Sequence, residues 1–432
     1  MTTIAIGGLI AMLILLVVGV PVSYSLGIVG LVGLSLITSL PATLQQVSLV
    51  ASHAGMDFIT ICVPLFVFMG KMIYHTGIAK ELFESIEKWL GRLSGGLAIS
   101  SVVTCAAFGA VTGSSVASVA TMATVIRPEL KRYHYDDELS AGAITSAGTL
   151  AVLIPPSLGF VMYGVLTETS IGALFLAGVV PGTILTFLYC VYVWIRCVLN
   201  PKLGPKGPTY SLLERIISLK GTWGLLFIFT LVIGGIYCGL VTPTEAAGIG
   251  AAGVLGICAG RRKLTWRATI NAMTDTGLVT AMIWLIIVAG HLLARFLAVT
   301  GASQALVDAI AAWGLSVNGF LVITTIIFLI LGALMDMFGL LILTIPFLFP
   351  VVRYYGIDPI WFGTYAVIMA EIGLLTPPVG LNVFVMRDMA PDIPMKTIFR
   401  GVLPFCALNL SAVLLITLFP MLALWLPKLA LQ

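Results

Sequence analysis

The sequence predicts an all-α polytopic membrane protein with about ten spans and two re-entrant hairpins, arranged as two inverted-topology repeats with broken helices. Three observations carry that prediction. Of 432 residues, 59% are hydrophobic and 9% are charged, against roughly 25% charged in an ordinary soluble domain. Charge-free runs near the ~20 residues needed to cross the hydrocarbon core recur along the whole chain, as at 4–20, 222–240 and 402–426. Two double prolines, Pro155-Pro156 and Pro377-Pro378, interrupt such runs 222 residues apart. In a helix interior each proline removes a hydrogen bond at a cost of ~3 kcal/mol or more, so a matched pair demands a reason.

Taken in order, the hydrophobic runs predict spans at 4–20, 22–39, 57–75, 139–166, 171–195, 221–240, 243–260, 272–298, 360–386 and 402–426. The runs 94–126 and 316–351 are too long for one span and carry small or polar residues at their centres, TGSSVAS at 112–118 and GALMDMF at 332–338. These are predicted to be hairpins, tolerated at membrane depth only where the tip faces protein or water. The start, MTTIAIGGLI, lacks the basic flank of a cleaved signal, so the first run is expected to be retained. The segment TPTE at 242–245 reads as a helix start, with Thr242 as N-cap, Pro243 at the first helical position and Glu245 closing a capping box. The seven cysteines form no CxxC pair and fall mostly in apolar runs, which predicts small packing residues.

Basic residues set the orientation, because short cytoplasmic loops collect Lys and Arg. Four fall in 71–92, three in 127–132, five in 196–220, four in 261–267 and three in 387–400. Of the 22, only Arg295, Arg353 and Lys428 lie on the other side, so both termini are predicted to be external.

The double prolines belong to a longer correspondence. The 222-residue offset also pairs Pro128 with Pro350 and Asp136 with Asp358; an offset of 224 pairs Thr76-Gly77 with Thr300-Gly301 and Trp89 with Trp313; and 223 pairs Gly178 with Gly401 and Pro181 with Pro404. Four units follow: N-terminal scaffold helices over 1–56, a first repeat over 57–195, a cytoplasmic loop with scaffold helices over 196–271, and a second repeat over 272–426. Each repeat has a span, an amphipathic arm (77–92 and 301–315), a hairpin, a broken span and a following helix. The first arm carries Lys, Arg and Glu while the second carries only Asp308, so the first hairpin is predicted to enter from the cytoplasm and the second from outside. Inverted repeats with discontinuous helices are the architecture of secondary transporters.

A helix broken at membrane depth exposes about four amides and four carbonyls at its new ends, each costly if left unpaired in hydrocarbon. Carbonyls and hydroxyls suit a hard cation such as sodium, and amides suit an anion such as a carboxylate. The tips Gly113-Ser114-Ser115 and Gly332 to Asp336 occupy matching places, which predicts two related cation sites with substrate between them. Asp336 is an intramembrane acid, functional by default, with capping of the hairpin backbone as the other reading. Enzymatic chemistry is not indicated: GIGAAG at 248–253 lacks the strand and acid of a nucleotide fold, the four histidines form no HExxH, and no Walker loop is present.

The combination of GSSVAS, LIPPS followed by FVMYG, VTPTEAA, GALMD and GLLTPPVGLNVFV, flanked by DPIWFG and RGVLPF, resembles the large membrane subunit of the TRAP (tripartite ATP-independent periplasmic) transporters over essentially the whole chain. The resemblance implies a sodium-driven importer in the bacterial cytoplasmic membrane that moves a small organic acid, such as a C4-dicarboxylate or a sialic-acid-like sugar acid, by an elevator mechanism. It implies as partners a small four-helix membrane subunit and a periplasmic substrate-binding protein, with no nucleic acid. It implies one sodium site at Gly332, Gly373, Thr376 and Val379, through carbonyls and the threonine hydroxyl. A second would involve Ser114, Ser115 and carbonyls from Ala151 to Pro155, with substrate contacts from Gly113, Ser157, Asp336 and Asn382. Ala110 and Ile154 stand where the second half has Gly332 and Thr376. A self-sufficient sodium and dicarboxylate symporter is the alternative transporter, and a membrane-embedded enzyme or channel the alternative of another class. Neither double-proline segment contains arginine, leaving the substrate's counter-charge to helix-end amides or to a residue elsewhere, such as Arg295.

Overall fold

The computed structural model describes residues 2–56 and 60–430, which are built from helices. The chain opens with α1 (Thr2–Val17), α2 (Val22–Ile37) and α3 (Leu40–Met56). Helix α4 (Cys62–His75) meets the amphipathic arm α5 (Ile78–Leu90) at 71°. The first hairpin is α6 (Gly96–Thr112) with α7 (Ser115–Arg132), and the first broken segment is α8 (Asp137–Ala147), α9 (Leu150–Leu153) and α10 (Leu158–Thr167). Helices α11 (Ile171–Leu199), α12 (Leu212–Tyr237) and α13 (Pro243–Gly260) lead to the 35-residue α14 (Trp266–Thr300) and the arm α15 (Ala302–Ala312). The second hairpin is α16 (Val317–Gly332) with α17 (Met337–Tyr354), and the second broken segment is α18 (Pro359–Gly373) with α19 (Leu381–Met389). The chain closes with α20 (Met395–Leu418) and α21 (Met421–Ala430).

Four expectations change. No span was predicted over 40–56, where α3 forms; Gln45, Gln46 and His53 interrupt its hydropathy, but its Thr43, Val50 and Ala54 are buried as it packs on α2 and α14. The predicted span 402–426 is two helices, because Pro420 disfavours helical geometry at Phe419, which adopts φ −126° and ψ 74°. The span 221–240 starts earlier, at Leu212, where Ser211 and Glu214 form a capping box. Residues 57–59 of the span 57–75 lie outside the described residues. Of the predicted hairpin bounds, 94–126 extends to Arg132 and 316–351 to Tyr354, each helix continuing past its internal proline. Among the described residues five helices are individually long and apolar enough to cross a membrane, and seven if each of two bent pairs is one span. The predicted cap at Thr242 and Glu245 is present, with Thr242 N donating to Glu245 Oε2 at 2.7 Å.

Small residues let helices approach closely, as expected where packing rather than water drives association. A Cβ on Gly30 of α2 would lie 2.9 Å from the α14 backbone at Leu292, so these two helices form a tight pair. Helix α3 lies along the Ile287–Ala298 half of α14, and α4 along its Asp275–Ile283 half. The other principal body gathers the hairpins and broken segments around α18, whose residues from Trp361 to Gly373 are all buried. A helix apolar all round belongs in such a centre.

Candidate functional site

Each broken segment is held against its own hairpin by backbone contact. In the first half, a Cβ on Gly109 of α6 would lie 2.2 Å from the Cα of Ala151 in α9. In the second half, a Cβ on Gly332 of α16 would lie 2.8 Å from the Cα of Gly373 at the end of α18. Gly109, one place before Ala110, is therefore the residue of the first half that makes the close approach of Gly332. The tips are tied by main-chain hydrogen bonds as well: Leu158 N donates to Gly113 O at 3.3 Å, and Val379 N to Ala333 O at 3.2 Å. Both Pro155-Pro156 and Pro377-Pro378 are cis.

The polar side chains at these ends serve as caps where the sequence offers one. Ser114 Oγ accepts from Ala117 N at 3.4 Å, opening α7, and Ser157 Oγ accepts from Phe160 N at 3.2 Å, opening α10. Asp336 Oδ1 accepts from Gly339 N at 2.9 Å, so this acid takes the capping role at the start of α17. Helix α19 begins at Gly380, in a left-handed conformation (φ 61°), with no side-chain cap. Thr376 donates its hydroxyl to Ile372 O at 2.7 Å, which leaves the oxygen's lone pairs to accept or ligate.

A cavity of about 530 Å³ lies between these tips and the wall formed by α4 and α14. Ser114, Ser115 and Asp336 line it together with Leu381, while Ser157 and Asn382 are buried away from it. Ala151 and Pro155 are buried behind the first tip, and Gly332, Gly373, Thr376 and Val379 cluster behind the second without lining the cavity. The first turns of α7, α17 and α19 all reach the cavity through Ser115, Met337 and Leu381. Each such helix end carries roughly half a positive charge, so the cavity presents three positive ends to its contents.

Two groups stand out that sequence reasoning passed over. Ser115 Oγ donates at 3.3 Å to Oε1 of Glu371, an acid with no exposed surface on α18, so the first tip is joined to the second broken segment. Its Oε2 has no hydrogen-bond partner, nor have Oδ1 and Nδ2 of the equally buried Asn382. Native interiors rarely leave such atoms unpaired, and those that do point to a ligand or water. On the opposite wall, Asp275 Oδ2 lies 3.2 Å from Lys71 Nζ and 3.1 Å from His75 Nε2. The signal for all of these was available: an acid or a lysine inside an apolar run.

The fold is shared with a solved membrane transporter. Over 90% of its length the chain superposes on 88% of the YdaH transporter of Alcanivorax borkumensis with a TM-score of 0.60, at 16% identity, so the likeness is one of fold. Residues 9–422 match the family model described as "Tripartite ATP-independent periplasmic transporter, DctM component", and the chain belongs to that family. Among its relatives, the C4-dicarboxylate TRAP transporter large permease protein DctM of Pseudomonas aeruginosa is 34% identical over 94% of both chains. The sialic acid TRAP transporter large permease protein SiaM of Vibrio cholerae is 31% identical over 98% of both. The chain is thus a multi-pass transporter component and not an enzyme.

Proposed function

We propose that this permease subunit imports a small organic acid, driven by sodium, with the two halves acting as inverted repeats of an elevator-type transport body. The observation that carries the reading is the convergence of three helix N-termini and both hairpin tips on one cavity. Positive helix ends favour an anion, and the relatives named for dicarboxylate and sialic acid carry acids. The cations sit behind the tips: one among Gly332, Gly373, Thr376 and Val379, the other among Ser114, Ser115 and the carbonyls of Ala151 to Pro155. Of the residues implied for the substrate, Asp336 faces it from the cavity lining, while Gly113, Ser157 and Asn382 support the tips and broken helices behind that lining. Each sodium entering down ~100 mV contributes about 2.3 kcal/mol before its concentration gradient is counted. Two sodium ions per monovalent acid therefore drive import against the acid's own gradient and carry net positive charge inward.

The partners are a small four-helix membrane subunit and a periplasmic binding protein that delivers the acid, in the bacterial cytoplasmic membrane with both termini external. Proteoliposomes containing the subunits test the reading with radiolabelled succinate and N-acetylneuraminate. Uptake of one of them that needs both the binding protein and an inward sodium gradient is the expected result. Undiminished uptake with potassium in place of sodium overturns the coupling, and uptake without the binding protein favours the self-sufficient symporter.

A further inference from the structure

The cavity has a second wall, and its charges are arranged for a ligand. Among the residues that line it, Lys71 on α4 is the one lysine or arginine; the acids are Asp275 and Asp336. Asp336 is committed to the start of α17. Asp275 on α14 holds Lys71 at 3.2 Å, and its carboxylate is braced at 3.1 Å by His75, one turn further along α4. The Lys71 side chain remains one-quarter exposed. An ammonium has three donors, of which Asp275 takes one.

Arg295, the counter-charge suggested by sequence, sits elsewhere. It lines a separate cavity with His53 and His291, twenty residues along α14 from Asp275, which is about 30 Å at 1.5 Å per residue. It does not reach the space between the hairpin tips.

We infer that Lys71, whose charge Asp275 partly neutralises until cargo arrives, is a substrate-binding residue that receives a carboxylate of the cargo on the wall formed by α4 and α14, facing the hairpin tips. This rests on the reading of the cargo as an organic anion and extends it. The helix ends of α7 and α19 hold one end of the molecule, and Lys71 the other. A cargo with two anionic or polar ends spans the cavity, whose volume suits a small ligand. The basic 71–92 segment begins at this residue, so Lys71 meets the cargo on the side from which it leaves.

The test uses the detergent-solubilised full chain in sodium buffer, with thermal-shift titrations of succinate and of N-acetylneuraminate against chloride at equal ionic strength. The wild-type chain is expected to be stabilised by at least one of the two. Lys71→Gln is expected to weaken that anion's apparent affinity at least tenfold, Lys71→Arg to keep it within threefold, and Asp275→Asn to tighten it by freeing the ammonium. If Lys71 served only as a structural ion pair, the double variant Lys71→Gln/Asp275→Asn would restore binding; continued loss supports the inference and restoration overturns it. Unchanged affinity in Lys71→Gln overturns it too. If Lys71→Gln does not fold, Asp275→Asn decides, and affinity no tighter than wild type overturns the inference. A wild-type chain stabilised by neither anion overturns the organic-acid reading itself.

Discussion

Gly332 and Gly373 meet backbone to backbone, and a Cβ on Gly373 would lie 2.5 Å from the Cα of Gly332. No rotamer relieves that clash, since the obstacle is main chain. Gly373→Val is therefore expected to destabilise the protein by about 1–3 kcal/mol, the usual cost of overpacking, and to lower the thermal midpoint in detergent. Thr376→Ala tests the cation site proposed beside it. The threonine's hydrogen bond to Ile372 O is local, so the expected result is a fold kept intact and a sodium dependence of uptake shifted at least tenfold to higher concentration. Unchanged sodium dependence would remove Thr376 from the site. Much of this was legible in the residues: the matched prolines located both helix breaks, the polar runs at 112–118 and 332–338 located the tips, and small residues marked where chains touch. Glu371 and Lys71 were less legible, because an acid or a lysine in an apolar run announces a role without its partner. The partners, Ser115 and Asp275, are 256 and 204 residues away.

At the scale of elements, a two-cation tie outside the cavity joins α7 to the loop before α20. Asp392 accepts from Lys131 Nζ at 2.9 Å and also from Arg127. Those two cations hold its carboxyl well below the usual carboxylate range. A lowered value stabilises the fold above the unfolded value of about 3.9 and loses that effect as pH falls through the folded one. Between pH 5 and 8 the tie is expected to be constant. Hydrogen exchange of 388–394, corrected for its intrinsic pH dependence, should not change across that range and should accelerate in Asp392→Asn. Element boundaries illustrate what hydropathy omits. Helix α3 is specified by burial of one face on α14, which no count of apolar residues reveals, whereas the Thr242 cap of α13 was local and could be read directly.

For the whole molecule, orientation is the property that the basic residues predict and a labelling experiment reads. Cys238 is the exposed cysteine, following α12, which begins in the basic 196–220 segment. In intact cells a membrane-impermeant maleimide is expected to label the protein, and Cys238→Ser to abolish the labelling. Labelling seen only in inverted vesicles would reverse the assigned topology. The large-scale plan, a scaffold pair of α2 and α14 beside a body centred on α18, was only partly visible in sequence. Offsets of 222–224 residues predicted a repetition, but which helices would be neighbours depends on packing between distant segments.

The bond from Ser115 to Glu371 crosses between the halves. The Glu371 carboxyl has no exposed surface, so parting the first tip from α18 leaves two polar groups without their partner at once. The first hairpin tip and the second broken segment are therefore tied to each other across the halves. If the proposed ions bind at the tips, loss of an ion at the first is therefore expected to be felt at the second broken segment through this one bond.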